Sequence, residues 1–185
     1  MFDLVPDHDL NIMKPGQDLY DVVSNVLLGM KSILTDFKLD VVFVHGDTST
    51  TFTAALAAFY QQISVAHIEA GLRTGDIYSP WPEEANRQLT TKITAHHFAP
   101  TATSKENLLK ENVNERNIEV TGKTVIDALF LALKKIQNNP ELEQEIVSTI
   151  EKAIDSSTFS IQNSFSLRAT EEKTLVKVLS IFAMH

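Results

Sequence analysis

The densest chemistry in this sequence lies in residues 67–76, His-Ile-Glu-Ala-Gly-Leu-Arg-Thr-Gly-Asp, and continues through residues 81–87, Trp-Pro-Glu-Glu-Ala-Asn-Arg. Carboxyl groups, arginines, a histidine, two glycines and the chain's one tryptophan fall in a loop and the helix that follows it. A second small cluster, His45-Gly46-Asp47, lies upstream. Converging carboxylates can move protons, and arginines can pair with phosphate oxygens. Each residue also has a plainer reading. Asp47 serves either as an acid/base group or as a helix cap. Glu69 follows an apolar run, and Gly71 allows a sharp turn behind it, which faces the carboxylate into a crevice; the alternative is a solvated loop residue. Glu83 and Arg87 share a helix face, and taken alone they read as a surface ion pair worth about 0.3–0.5 kcal/mol. Arg73 is a phosphate clamp or a solvated loop arginine. Trp81, between two prolines, is a rigid wall for a ring or part of the core. His45 and His67, each after branched apolar residues, read singly as buried, hydrogen-bonded rings. His96-His97 reads as a strand end with one ring in and one out. His45, Asp47, His67 and Glu69 can be drawn as a metal site, but no established ligand spacing supports it.

The elements that must position these groups follow from periodicity. Apolar residues from Leu19 to Phe37 recur at helical spacing and predict an amphipathic helix over 17–37. Residues 40–44 form an apolar, β-branched run without alternation, the pattern of a strand covered on both faces. Thr48-Ser49-Thr50 offers a cap for an alanine-rich helix at 53–60. Further strands are expected at 64–68, 96–99 and 117–120. Further helices are expected at 83–93 with Pro82 in its first turn, at 104–111 capped by Ser104, at 124–137 and from Pro140 to about 153. Strand and helix alternate, which predicts an α/β fold with a doubly wound parallel sheet and a site outside the carboxyl ends of the strands. Both chemical clusters sit at such ends. Residues 1–16, broken by Pro6, Pro15 and Gly16, read as loop or a strand remnant.

Composition narrows the class. The chain has 185 residues, 43% of them hydrophobic, with a formal net charge of -8 and no cysteine. Disulfides, thiolate nucleophiles and cysteine zinc sites are excluded. The acidic balance argues against nucleic-acid and anionic-membrane partners but permits a small anionic ligand held by local arginines. No signal peptide or membrane span is legible at the start, so a cytoplasmic protein is expected.

Four segments together are specific: Val-His-Gly-Asp-Thr at 44–48, residues 67–76 as quoted, Ser-Pro-Trp-Pro-Glu-Glu-Ala-Asn-Arg at 79–87, and Thr-Gly-Lys-Thr-Val-Ile-Asp-Ala-Leu at 121–129. In order and spacing they closely resemble the non-hydrolysing bacterial UDP-N-acetylglucosamine 2-epimerases over residues 2–155. Lys123 departs from the asparagine usual there. The resemblance implies a Rossmann-like N-terminal domain of a two-domain fold like that of B-type glycosyltransferases, with the nucleotide sugar between the domains. It implies an isomerase that serves cell-wall polysaccharide synthesis and interconverts UDP-N-acetylglucosamine and UDP-N-acetylmannosamine. The C2 proton is removed, UDP leaves, and UDP re-adds to a 2-acetamidoglucal after reprotonation. By motif match Asp47, Glu69, Glu83 and Arg87 are catalytic, and His45, Arg73 and Asn86 bind substrate. Gln17 resembles an effector-binding position, though its neighbours differ. No cofactor and no metal is implied; the partners implied are UDP-N-acetylglucosamine and UDP, in a full-length homodimer.

The resemblance also sets expectations for the two ends. Complete members begin with a strand, a Gly-Thr-Arg-Pro-Glu loop and a Gln-His-Arg motif. Residue 1 corresponds to a point roughly fifty residues in, one βαβ segment of more than about 30 residues later. Residues 164–180 do not match, yet one synonymous codon choice for them, read from its third base, spells Ile-Leu-Val-Thr-Gly-His-Arg-Arg-Glu-Asn-Phe-Gly, the family's next motif. Residues 1–138 are therefore expected to be an incomplete N-terminal domain, 139–156 an inter-domain helix and linker, and 157–185 a frameshift-like tail beginning near 157–163. The second domain is expected to be absent, leaving this copy inactive and poorly soluble. The rival functions are a hydrolysing relative that releases free N-acetylmannosamine, a non-catalytic nucleotide-sugar-binding fragment, and a metal hydrolase.

Overall fold

The computed structural model describes residues 5–153; the expected aberrant tail lies outside the described residues. The chain divides into two units, residues 1–125 and 126–185. The first unit runs α1 (Leu19–Asp36), β1 (Val41–His45), α2 (Ser49–Tyr60), β2 (Ser64–Ile68), α3 (Glu83–Ile93), β3 (His96–Ala99), α4 (Ala102–Lys110), a 3-10 turn (Glu115–Asn117) and β4 (Ile118–Val120). Its last two residues start α5 (Thr124–Gln137). The second unit continues α5 and adds α6 (Pro140–Ala153), with the Asn139 side chain accepting from the Leu142 amide at 3.2 Å in the turn between them.

Local chemistry sets these boundaries. Asp18 and Asp21 cap α1 reciprocally, each carboxylate accepting the other's amide at 3.0 and 3.2 Å. Thr48 caps α2, so that helix begins at Ser49 rather than at 53. Helix α4 begins at Ala102, two residues before the expected Ser104, because Thr101 takes the cap and its hydroxyl accepts the Ser104 amide at 3.1 Å.

The four strands are parallel in the order β1-β2-β3-β4. One face carries Val44, Val65, His67, His97, Ala99 and Ile118, all buried. Leu34 of α1 and Ala55, Ala57 and Ala58 of α2 pack with Val44 and Val65, with Ile93 of α3 alongside; Leu108 of α4 packs with Ala99 and Ile118. Two expectations need correction. Among the described residues strand β1 is an edge, and Phe43 on its other face is 59% exposed, stacked on Phe98 with ring centroids 6.1 Å apart. The described helices of this unit also do not wind both faces. The chain crosses the sheet in one direction without reversing, and same-handed crossovers then deliver every helix to one side. Double winding needs a reversal of strand order that these four strands do not contain.

Candidate functional site

The site lies at the carboxyl edge of β1 and β2. Strand β1 ends at His45, and the ladder extends one step as the Gly46 amide donates to the Ile68 carbonyl at 3.1 Å. Gly46 has a φ of +74°, a left-handed turn that releases Asp47 from the sheet. Asp47 does not cap α2, since Thr48 does. Its carboxylate instead receives Arg87: Nε donates to Oδ2 at 2.9 Å and Nη2 donates to Oδ2 at 2.6 Å. Asn86, 6% exposed, donates from Nδ2 to the Asp47 carbonyl at 2.9 Å. Two neighbours on α3 thus fix Asp47 from 39 and 40 positions away.

Glu69 follows β2 with a φ of +65°, a conformation that costs a residue bearing a side chain about 1 kcal/mol or more. Its carboxylate is 23% exposed and lies 3.9 Å from His45 Nε2. The His45 side chain is 58% exposed, contrary to the buried ring its apolar neighbours suggest, because it stands on the bare face of an edge strand. His67 follows the expectation for a buried ring: it is 1% exposed, with Nε2 2.7 Å from the Gly46 carbonyl oxygen. His96 is exposed and His97 is 2% exposed, one ring out and one in. Burial pushes the His67 pKa down to about 4, against the raising effect of its bond to Gly46, with His97, Arg73 and His45 adding to the lowering. Burial lowers the His97 pKa as well. Among the described residues no group of three or more histidine, aspartate or glutamate side chains converges to hold a metal ion.

The loop after β2 is tied down at several points. The Ala70 amide donates to the Phe98 carbonyl, and Asn107 of α4 donates to the Gly71 carbonyl at 3.0 Å. Thr74 Oγ1 donates to the Ser79 carbonyl at 2.6 Å, and the Thr74 amide donates to Glu84 Oε2 at 3.1 Å. Trp81 at its end is 62% exposed, which excludes the core reading.

Arg73 differs from its expected role. Its Nε and Nη2 donate to the Glu111 carboxylate at 2.5 and 2.9 Å, Nη2 also to Thr91 Oγ1 at 2.8 Å, and Nη1 to the Leu72 carbonyl at 2.7 Å. With its side chain 9% exposed, the guanidinium braces the loop against α3 and the end of α4 instead of standing open to a phosphate. The expected Glu83–Arg87 pair is also replaced. Arg87 Nη1 donates to Glu84 at 3.1 Å, and the side chain of Glu83, half-buried at the start of α3, has no hydrogen-bond or ion-pair partner among the described residues. Gln17 lies outside this cluster, its Oε1 accepting the Lys14 amide at 2.5 Å across the Pro15-Gly16 turn.

Sequence reasoning passed over Glu84, Thr91, Asn107 and Glu111. Only Glu84 left a local signal: it stands three residues before Arg87 and four before Gln88, the spacings at which side chains on a helix meet.

A family model described as UDP-N-acetylglucosamine 2-epimerase matches residues 1–161. The chain belongs to the UDP-N-acetylglucosamine 2-epimerase family. It is 55% identical to the UDP-N-acetylglucosamine 2-epimerase of Escherichia coli K12 over 148 residues, 80% of this chain and 39% of that protein. It is 50% identical to the Neisseria meningitidis protein of the same name over 164 residues, 89% of this chain and 42% of that one. The chain thus spans about two fifths of the length of these epimerase relatives. Among solved epimerase structures, that of Neisseria meningitidis bound to UDP-GlcNAc superposes with a TM-score of 0.74 at 51% identity, covering 83% of this chain and 42% of that one. The Methanocaldococcus jannaschii epimerase in complex with UDP-GlcNAc and UDP superposes with a TM-score of 0.73 at 39% identity, covering 78% and 39%. No helix among the described residues of this epimerase-family chain is long and apolar enough to cross a membrane.

Proposed function

We propose that this chain supplies one wall of an active site that inverts C2 of UDP-N-acetylglucosamine to give UDP-N-acetylmannosamine. Inversion removes a proton from one face of C2 and returns one to the other, so it needs several acid/base groups around one carbon. Asp47, Glu69 and Glu83 are our candidates, with Arg87 as the basic partner and His45 and Asn86 beside them. In the proposed step the electrons of the C2–H bond form a C1–C2 double bond as the C1–O bond breaks. UDP leaves with those bonding electrons and adds back to C1 after C2 has been reprotonated on the opposite face.

The observation that carries this reading is the grip of Arg87 on a single oxygen of Asp47. Both guanidinium bonds go to Oδ2, and Oδ1 has no hydrogen-bond partner among the described residues. A carboxylate held by one oxygen and open at the other is oriented to exchange a proton with a ligand. Three assignments belong to the same proposal: a homodimer for the full-length protein, a cytoplasmic location, and an effector role for Gln17.

The test is a chimera in which residues 1–153 replace the matching stretch of the Neisseria meningitidis relative, incubated with UDP-N-acetylglucosamine in deuterium oxide. UDP-N-acetylmannosamine carrying deuterium at C2 is the expected product. Release of free N-acetylmannosamine with UDP would assign the hydrolysing reaction instead. Absence of any C2 exchange in a folded chimera would overturn the proposal.

A further inference from the structure

We infer that Glu84 is the positioning residue of this site: its buried carboxylate holds the Arg87 guanidinium against Asp47 and pins the Thr74 turn to the start of α3. The functional half of this inference rests on the reading of Asp47 as an acid/base group.

Glu84 lies on the first turn of α3, where a glutamate is ordinarily solvated, yet it is 0% exposed. A carboxylate fully out of water persists only when donors replace the water it has lost. Here Oε2 accepts from the Thr74 amide at 3.1 Å and from Arg87 Nη1 at 3.1 Å, and Oε1 accepts from Gln88 Nε2 at 3.0 Å. Burial alone would raise its pKa. The Gln88, Thr74 and Arg87 donors outweigh that and hold it below the ordinary carboxylate range.

The consequence lies on the far side of Arg87. A guanidinium is a rigid plane, and this one is gripped at two edges, Nη1 by Glu84 and Nε with Nη2 by Asp47. Fixing one edge fixes the direction in which the other donates. Both site-side bonds then fall on Asp47 Oδ2, which leaves Oδ1 without a hydrogen-bond partner among the described residues. The Glu84 carboxylate also ties the loop containing Arg73 and Thr74 to the helix carrying Glu83. Glu84 need not touch a ligand to do this.

The test is nuclear magnetic resonance of the uniformly 15N-labelled 185-residue chain, which reports both backbone amides and arginine Nε–H groups. In the unaltered chain the Arg87 Nε–H and the Thr74 amide are expected to exchange at least about tenfold more slowly than the same groups in a free peptide, as hydrogen-bonded groups in closed structure do. Fast exchange at either group overturns the inference, and this measurement needs no substitution to fold. Glu84→Gln removes the charge while conserving size. It is expected to speed Arg87 Nε–H exchange by about tenfold or more while the amides of β2 and β3 stay protected. Gln88→Leu removes a donor to the other oxygen and is expected to leave the Arg87 signal in place. If Glu84 only held the loop, Glu84→Gln would release the Thr74 amide and leave Arg87 Nε–H protected, and that pattern overturns the positioning role. These signals do not depend on turnover, so a chimera without epimerase activity would sink the catalytic reading while leaving this one standing or falling on its own.

Discussion

At the scale of single residues, the site is governed by which charges are enclosed. Glu84 is fully buried and Arg87 has a 13% exposed side chain, so neither can fall back on water if the other is removed. Arg87→Met keeps most of the packing but leaves the buried Glu84 charge without its cationic partner, held only by the Thr74 amide and Gln88. It is expected to cost about 3–5 kcal/mol, the range for breaking a buried pair from one side, measured by urea unfolding. A loss below about 1 kcal/mol would mean that the pair behaves as a solvated one. His67 makes a second prediction. Its folded pKa is near 4 against an ordinary 6.5, so the fold holds it neutral while the unfolded chain takes up a proton as pH falls through 6.5. The unfolded state binds more protons in that window, so stability is complete above pH 6.5 and falls as the pH drops toward 4. The loss from this group is on the order of 3 kcal/mol, with His97 adding in the same direction. Urea midpoints at pH 7, 5.5 and 4 should fall steadily. His67→Gln, less stable at pH 7, should show a shallower decline; an equal slope would place the acid sensitivity elsewhere.

At the scale of elements, the loop between β2 and α3 is fitted to α4 through one glycine. Gly71 has a φ of +88°, and a Cβ added there would lie 2.3 Å from the Ser104 carbonyl oxygen, a backbone atom that cannot rotate away. Gly71→Ala is therefore expected to destabilise the first unit by more than about 2 kcal/mol, combining left-handed strain with a backbone clash. Gly75, also at positive φ but with nothing within 4 Å, should lose only the strain when changed to alanine. Thermal melts of the two variants rank the contributions, and equal shifts would remove the clash from the account. This level also shows how far a sequence can be read. Helices α3, α5 and α6 and strands β2 and β3 are legible because apolar spacing and prolines at a helix start act within a few residues, although Pro82 stands as the N-cap of α3 and not in its first turn, as Pro140 does in α6. The beginnings of α2 and α4 are blurred by runs of hydroxyl residues, of which only the folded backbone selects Thr48 and Thr101. The bare face of β1 is not legible, since an apolar run looks the same on an edge strand as in the middle of a sheet. The partners of Arg73 are equally hidden: Glu111 lies 38 positions downstream, and nothing near either residue marks the pairing.

At the scale of the whole molecule, the deciding quantity is how positive charge is distributed around the site. Expelling UDP places negative charge on a leaving diphosphate, which needs cations or oriented amides to receive it. The two arginines of the site motifs are both engaged by carboxylates, Arg73 by Glu111 and Arg87 by Asp47 and Glu84. Asp47, Glu69, Glu83 and Glu84 set four carboxyl groups against the one guanidinium of Arg87. Carboxyl groups thus outnumber guanidinium groups in the described part of the site, a balance unfavourable to a diphosphate. Two outcomes are expected. The 185-residue chain alone should bind UDP weakly, with no heat of binding in calorimetry at concentrations below about 1 mM, which corresponds to about 4 kcal/mol. It should also turn over UDP-N-acetylglucosamine at least about a thousandfold more slowly than the chimera with the Neisseria meningitidis relative, since losing even one preorganised donor to a developing anion costs about a hundred- to a thousandfold. Comparable turnover by the two proteins, measured side by side from C2 deuterium incorporation, would show that this chain carries its own diphosphate site and that the engaged arginines release their partners when substrate arrives.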